Sequence, residues 1–164
     1  MFTVSVNPTY YCNFRCKFCY LTSAQLSDRL TTPLTVIDSR LASVSEQVEI
    51  THIDLYGGEI ALLSSRYLNT LLPMLEQYSS SINIITNFSA MVPVLFRKGV
   101  DLTVSYDFDC REKRRLVFNN MMFSSKPLAV LILASRCILK KNVEEMISEL
   151  NLCSAIKSLS LIHI

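Results

Sequence analysis

The chain of 164 residues has only three glycines and five prolines, and charged residues make up just 18% of it. So few chain breakers and charges exclude a disordered or low-complexity protein, because half the residues are hydrophobic and can build a core. No low-complexity stretch, short internal repeat or linker interrupts it. The net charge of +2 is too small to argue for nucleic acid or an anionic membrane as partner. No basic region followed by a long apolar run opens the chain, so a signal peptide is not expected. The longest apolar run, 128–133, is far too short to span a bilayer. These absences point to the cytoplasm, where six cysteines are expected to be thiols or metal ligands rather than disulfides.

What is present is a rhythm of two kinds of apolar segment. Short β-branched runs predict strands at Phe2–Val6, Ile50–Leu55, Ile82–Thr86, 102–105 and 129–133, with a sixth starting near Lys157. Segments with apolar residues three and four apart predict helices at 33–47, 65–78, 90–98, 112–123 and 143–152. Pro33 suits a helix start and Gly99 a helix end. The strand runs read as continuous, as in strands buried on both faces. Repeated strand–helix units imply a parallel sheet, either an α/β barrel, complete or partial, or an open doubly wound sheet.

Residues 12–19 read CNFRCKFC, with Cys12, Cys16 and Cys19 in a loop after the first strand. Three thiolates on so short a loop can converge on one soft metal centre. Zinc would normally take a fourth protein ligand at regular spacing, and none follows within thirty residues. The competing reading, buried inert cysteine, is opposed by Asn13, Arg15 and Lys17, which make the loop polar. Gly57, Gly58 and Glu59 directly follow the second strand. Adjacent glycines allow close backbone approach to a ligand, and a carboxylate can accept from an ammonium group. Alone, that triplet reads more simply as an ordinary strand-to-helix turn with a surface glutamate.

Together and in this order, CX3CX2C with Phe18 before the last cysteine, then GGE, resemble the radical S-adenosylmethionine superfamily. Ile60 and Ala61 follow the GGE where many members have proline. The resemblance implies a partial TIM-like (β/α) barrel over residues 1–158. It implies a [4Fe–4S] cluster on Cys12, Cys16 and Cys19, with S-adenosylmethionine on the fourth iron. Phe18 would lie near the adenine, and Gly57, Gly58 and Glu59 would meet the methionine amino group. One electron then cleaves the sulfonium, and the resulting 5′-deoxyadenosyl radical takes a hydrogen atom from a substrate.

The polar strand ends, where barrel active sites collect, are Asn7, Glu59, Asn87, Ser105 with Asp107, and Ser135 with Arg136. Ser105 is a candidate for the ribose and Arg136 for the cofactor carboxylate. Ser105, Tyr106 and Asp107 look most like members acting on peptides or proteins, with a nucleoside or small molecule as the alternative substrate. A flavodoxin or ferredoxin is the implied electron donor. A non-catalytic iron–sulfur or zinc module is the competing class, with Cys110 or His52 completing its shell. Cys137 and Cys153, in apolar segments, read as core packing.

The last residues, 159–164, read LSLIHI, a string resembling a translated transposon end. They are expected to be a non-native tail, with His163 carrying no function and a C-terminal part missing.

Overall fold

The computed structural model describes residues 2–106, 113–134 and 143–163. Six strands form one all-parallel sheet: β1 Phe2–Val6, β2 Ile50–Leu55, β3 Ile82–Thr86, β4 Val100–Ser105, β5 Leu128–Ala134 and β6 Ile156–His163. They lie in sequence order, β1 to β6, with no reversal. A doubly wound sheet reverses its strand order at a switch point. The uninterrupted order therefore decides for the partial barrel between the two architectures left open by the sequence. No pairing joins β6 back to β1 among the described residues.

Among the described residues five helices accompany the strands: α1 Ser23–Ser27, α2 Leu34–Ser45, α3 Ser65–Leu75, α4 Arg114–Met122 and α5 Val143–Asn151. α3 shows how the core is made. Ser64 caps it by accepting from the Tyr67 N–H, and Leu68, Leu71, Leu72 and Leu75 recur on one face, all fully buried. Burial of each such leucine contributes about 1.5–3 kcal/mol. Those side chains join Ile53, Leu55, Ile82, Ile84, Leu102, Val104 and Val130 of the strands in one hydrophobic cluster.

Two expectations are corrected. The strands are not buried on both faces: β3 alternates buried Ile82, Ile84 and Thr86 with half-buried Asn83 and Ile85, and β2 and β4 do likewise. The helices cover one face, while the other carries Ser5, Asp54, Asn83, Thr103, Ser105 and Ser160, as the concave side of an unclosed barrel does. On that face Thr103 donates to Asn83 Oδ1 (2.9 Å), and Asn83 donates to Asp54 Oδ1 (2.9 Å). The predicted helix at 90–98 is only a 3-10 turn, Pro93–Phe96, because Pro93 starts it late and Gly99, at φ +87°, turns the chain into β4.

Residues 159–163, read as a tail, continue β6 and pair with β5 as far as Ala134↔His163. Cys153 is buried, as expected of a packing residue. No helix among the described residues is long and apolar enough to cross a membrane.

Candidate functional site at the C-terminal edge of the sheet

Parallel strands deliver all their C-terminal ends to one edge, and the loops after β1, β2 and β3 meet there. The loop after β1 carries Cys12, Cys16 and Cys19, all half-buried and none in a disulfide. Phe14, 1% exposed, anchors it in the core. Arg15 lies across it, donating to the carbonyls of Cys12 (2.7 Å) and Phe14 (2.9 Å) and to Ser27 Oγ (2.9 Å). The Cys12 N–H donates to the Leu26 carbonyl in α1 (3.0 Å), and the Cys19 N–H to the Cys16 carbonyl (3.0 Å). α1, too short to be read from periodicity, is held by a capping box between Thr22 and Gln25.

The turn after β2 docks on this loop through backbone alone. Gly58 N–H donates to the Thr9 carbonyl (2.8 Å) and Glu59 N–H to the Tyr11 carbonyl (2.8 Å). A Cβ on Gly57 would collide with Asn7 Oδ1 and the Thr9 carbonyl, and one on Gly58 with the carbonyls of Tyr10 and Tyr11. The close approach that the glycines permit is thus to the cysteine loop itself. Glu59 is fully buried rather than on the surface. Its carboxylate accepts from Ala61 N–H (2.9 Å), Thr86 Oγ1 (2.5 Å) and Asn87 N–H (2.6 Å). Glu59 thereby ties the β2 turn to the end of β3.

The end of β3 was named only as polar, and it contributes more. Phe88 is fully buried with φ 54°, a left-handed backbone that costs a bulky residue about 1–3 kcal/mol. The turn closes because the Asn87 Oδ1 accepts from Ser89 N–H (2.9 Å). Asn87 Nδ2 then donates to Asn13 Oδ1 (3.1 Å) and Cys12 Sγ (3.7 Å), and Asn13 Nδ2 donates to Ser89 Oγ (2.9 Å). The Phe14 N–H also reaches Cys12 Sγ (3.4 Å). N–H groups aimed at sulfur favour its thiolate form.

Three soft sulfurs on one half-exposed loop, two N–H groups on the first of them, and a second turn packed against the loop fit an iron–sulfur group better than inert core cysteines. Among the described residues no three His, Cys, Asp or Glu side chains gather tightly enough for a single metal ion.

Phe18 is half-buried in the cysteine loop, and Ser105 half-buried at the end of β4. Tyr106 is buried and donates to Glu149 Oε2 (3.1 Å). His52 lies nearer the start of β2, between Ser81 Oγ (2.7 Å) and Asp54 Oδ1 (3.3 Å). Asp107, Cys110, Ser135, Arg136 and Cys137 lie outside the described residues. Exposed Tyr20, next to Cys19, has its phenol pKa raised above the usual value by partial burial and by Tyr56, Cys19 and Tyr10.

No protein-family model matches the chain, and no curated protein matches it in sequence. Solved structures do. Polyhistidine-tagged anSMEcpe with bound AdoMet superimposes with a TM-score of 0.74 at 15% identity, over 98% of this chain and 50% of the other. Native anSMEcpe with bound AdoMet and the Cp18Cys peptide gives 0.75 at 15%, over 98% and 50%. The same protein with the Kp18Cys peptide gives 0.75 at 14%, over 98% and 51%. The chain thus spans about half the length of these structures. Six parallel strands in sequence order, with the cysteine loop and the GGE turn packed together at their C-terminal edge, give this chain the partial-barrel fold that it shares with these structures.

Proposed function

We propose that the chain is the N-terminal part of a radical S-adenosylmethionine enzyme acting on a peptide or protein. The observation that carries this reading is the backbone docking of the Gly57–Gly58–Glu59 turn on the loop of Cys12, Cys16 and Cys19. An electron-transfer or structural metal module needs no second turn at its ligand loop. The bound AdoMet of the superimposed structures, and the peptides in two of them, support the cofactor and the substrate class.

In this reading Cys12, Cys16 and Cys19 hold a [4Fe–4S] cluster, reduced by a flavodoxin or ferredoxin. When bound, cluster and cofactor supply one-electron cleavage of the sulfonium and abstraction of a substrate hydrogen atom. The chain's residues do the positioning. Phe18 would lie near the adenine, the Gly57–Glu59 backbone would meet the methionine amino group, and Ser105 would take the ribose; Arg136, outside the described residues, is the candidate for the carboxylate on the resemblance alone. The Glu59 carboxylate serves the site at one remove, by fixing that turn to β3. The concave face, polar from Asp54 to Ser105, is the surface along which a peptide would lie.

Anaerobic reconstitution with iron and sulfide, then electron paramagnetic resonance of the reduced protein, tests the reading. The expected result is a [4Fe–4S] signal that changes on adding S-adenosylmethionine and is lost in Cys16→Ala. No cluster, or tight zinc with four protein ligands, would overturn it.

A further inference from the structure

Resting on that function, we propose that Asn87 is a positioning residue that sets the reduction potential of the cluster through its N–H···S hydrogen bond to Cys12. Its orientation follows from its partners. The backbone N–H of Ser89 can only donate, so the oxygen of the Asn87 amide must face it, at 2.9 Å. The amide nitrogen is thereby turned to Asn13 Oδ1, at 3.1 Å, and to Cys12 Sγ, at 3.7 Å.

The side chain has little room to move otherwise. Asn87 is 5% exposed, and its own N–H is held by Glu59 Oε2 at 2.6 Å. The following residue, Phe88, keeps its left-handed backbone while its ring is buried, and its carbonyl accepts from Asn120 Nδ2 (2.8 Å). A strained turn fixed on several sides, aimed at one sulfur, is the form in which proteins hold a functional group in place.

The chemistry follows from charge. A donor on a ligating sulfur withdraws electron density, and so favours the cluster state that carries one more electron. Removing the donor lowers the potential. Adding one electron from a mediator poised with dithionite then fills fewer clusters at the same poise.

The test is a mediator titration of the reconstituted protein, followed by electron paramagnetic resonance. Asn87→Leu removes the donor without adding charge and is the deciding variant, while Asn87→Asp keeps the acceptor for Ser89 N–H but also places a negative charge beside Cys12 Sγ, and should therefore shift the potential further. At a fixed poise, Asn87→Leu is expected to lower the reduced-to-oxidised ratio about tenfold, which is about 59 mV for one electron. Asn87→Asp shifts it further the same way. Ser89→Ala, which leaves the Asn87 amide in place, shifts it little.

Loaded variants with the wild-type potential would overturn the inference. So would loss of the cluster from both Asn87 variants while Ser89→Ala loads normally, since Asn87 would then be a scaffold residue only. Failure of the wild-type protein to assemble a cluster defeats the proposed function, and this inference with it. An unchanged potential in a loaded variant defeats the inference alone.

Discussion

The Glu59 carboxylate accepts the backbone N–H of Asn87 at 2.6 Å, so that one buried side chain joins the turn after β2 to the turn after β3. Both turns touch the cysteine loop, and Glu59 therefore fixes the relative placement of all three. Glu59→Ala leaves the N–H groups of Ala61 and Asn87 and the Thr86 hydroxyl without this acceptor. Each buried orphan costs about 1–3 kcal/mol, so a loss of about 3 kcal/mol or more is expected in urea unfolding. Glu59→Gln, which keeps an oxygen, should cost less. Equal stability of Glu59→Ala and wild type would disprove this account.

The glycines make a related prediction. A methyl on Gly58 meets two backbone carbonyls, which cannot swing aside as a side chain can. Gly58→Ala is expected to lower stability by about 1–3 kcal/mol and to make the cysteine loop easier to cleave by protease. Gly99→Ala offers a contrast. Nothing lies within 4 Å of its added carbon, so its cost is only that of φ +87°. Limited proteolysis of the two variants side by side separates collision from backbone strain.

Phe88 couples a buried ring to a left-handed backbone. Phe88→Ala loses the ring, at about 3–5 kcal/mol, and keeps the strain. Phe88→Gly loses the same ring but relieves the backbone. The glycine variant is therefore expected to be the more stable of the two by about 1 kcal/mol, against the usual order of these residues. Denaturant midpoints decide it.

Tyr78 donates to Asp38 Oδ1 at 2.7 Å, and this bond, then burial and the Asp38 charge, raise its phenol pKa above 10.0. A tyrosine with a raised folded pKa favours the protonated form in the folded state. Its contribution is full below the unfolded value near 10 and is lost as pH rises through the higher folded value. Wild type should lose more stability than Tyr78→Phe as the pH rises above about 10. Parallel stability curves over that range would rule this out.

The strands were legible because apolar β-branched runs leave a clear pattern; Phe2–Val6, Ile50–Leu55 and Ile82–Thr86 have the expected bounds. Their one-sided burial was less so. In Ile50–Leu55 the half-buried positions are Thr51, His52 and Asp54, an imperfect alternation that reads as a mixed run. The cysteine loop and the GGE were conspicuous, yet their partnership was not. A glycine shows in sequence that something comes close, never what, and here it is the backbone of residues 9–11. The turn at Asn87 and Phe88 showed in the sequence only as a polar strand end, because a left-handed phenylalanine carries no signal of its own and is held by the local bonds of Asn87 and Thr86 together with the Asn120 contact.

The cysteine loop divides its labour residue by residue. Phe14 and Arg15, between the first two sulfurs, carry the anchoring, and the backbone carbonyls of Thr9 and Tyr11 carry the docking. Metal-dependent miniature domains collapse without their ion because ligation and folding are one event. Here part of the anchoring is carried by residues other than the cysteines. A copy that lost a sulfur would still keep the Phe14 and Arg15 anchors and the docking carbonyls, so the outline of the loop can outlast its chemistry.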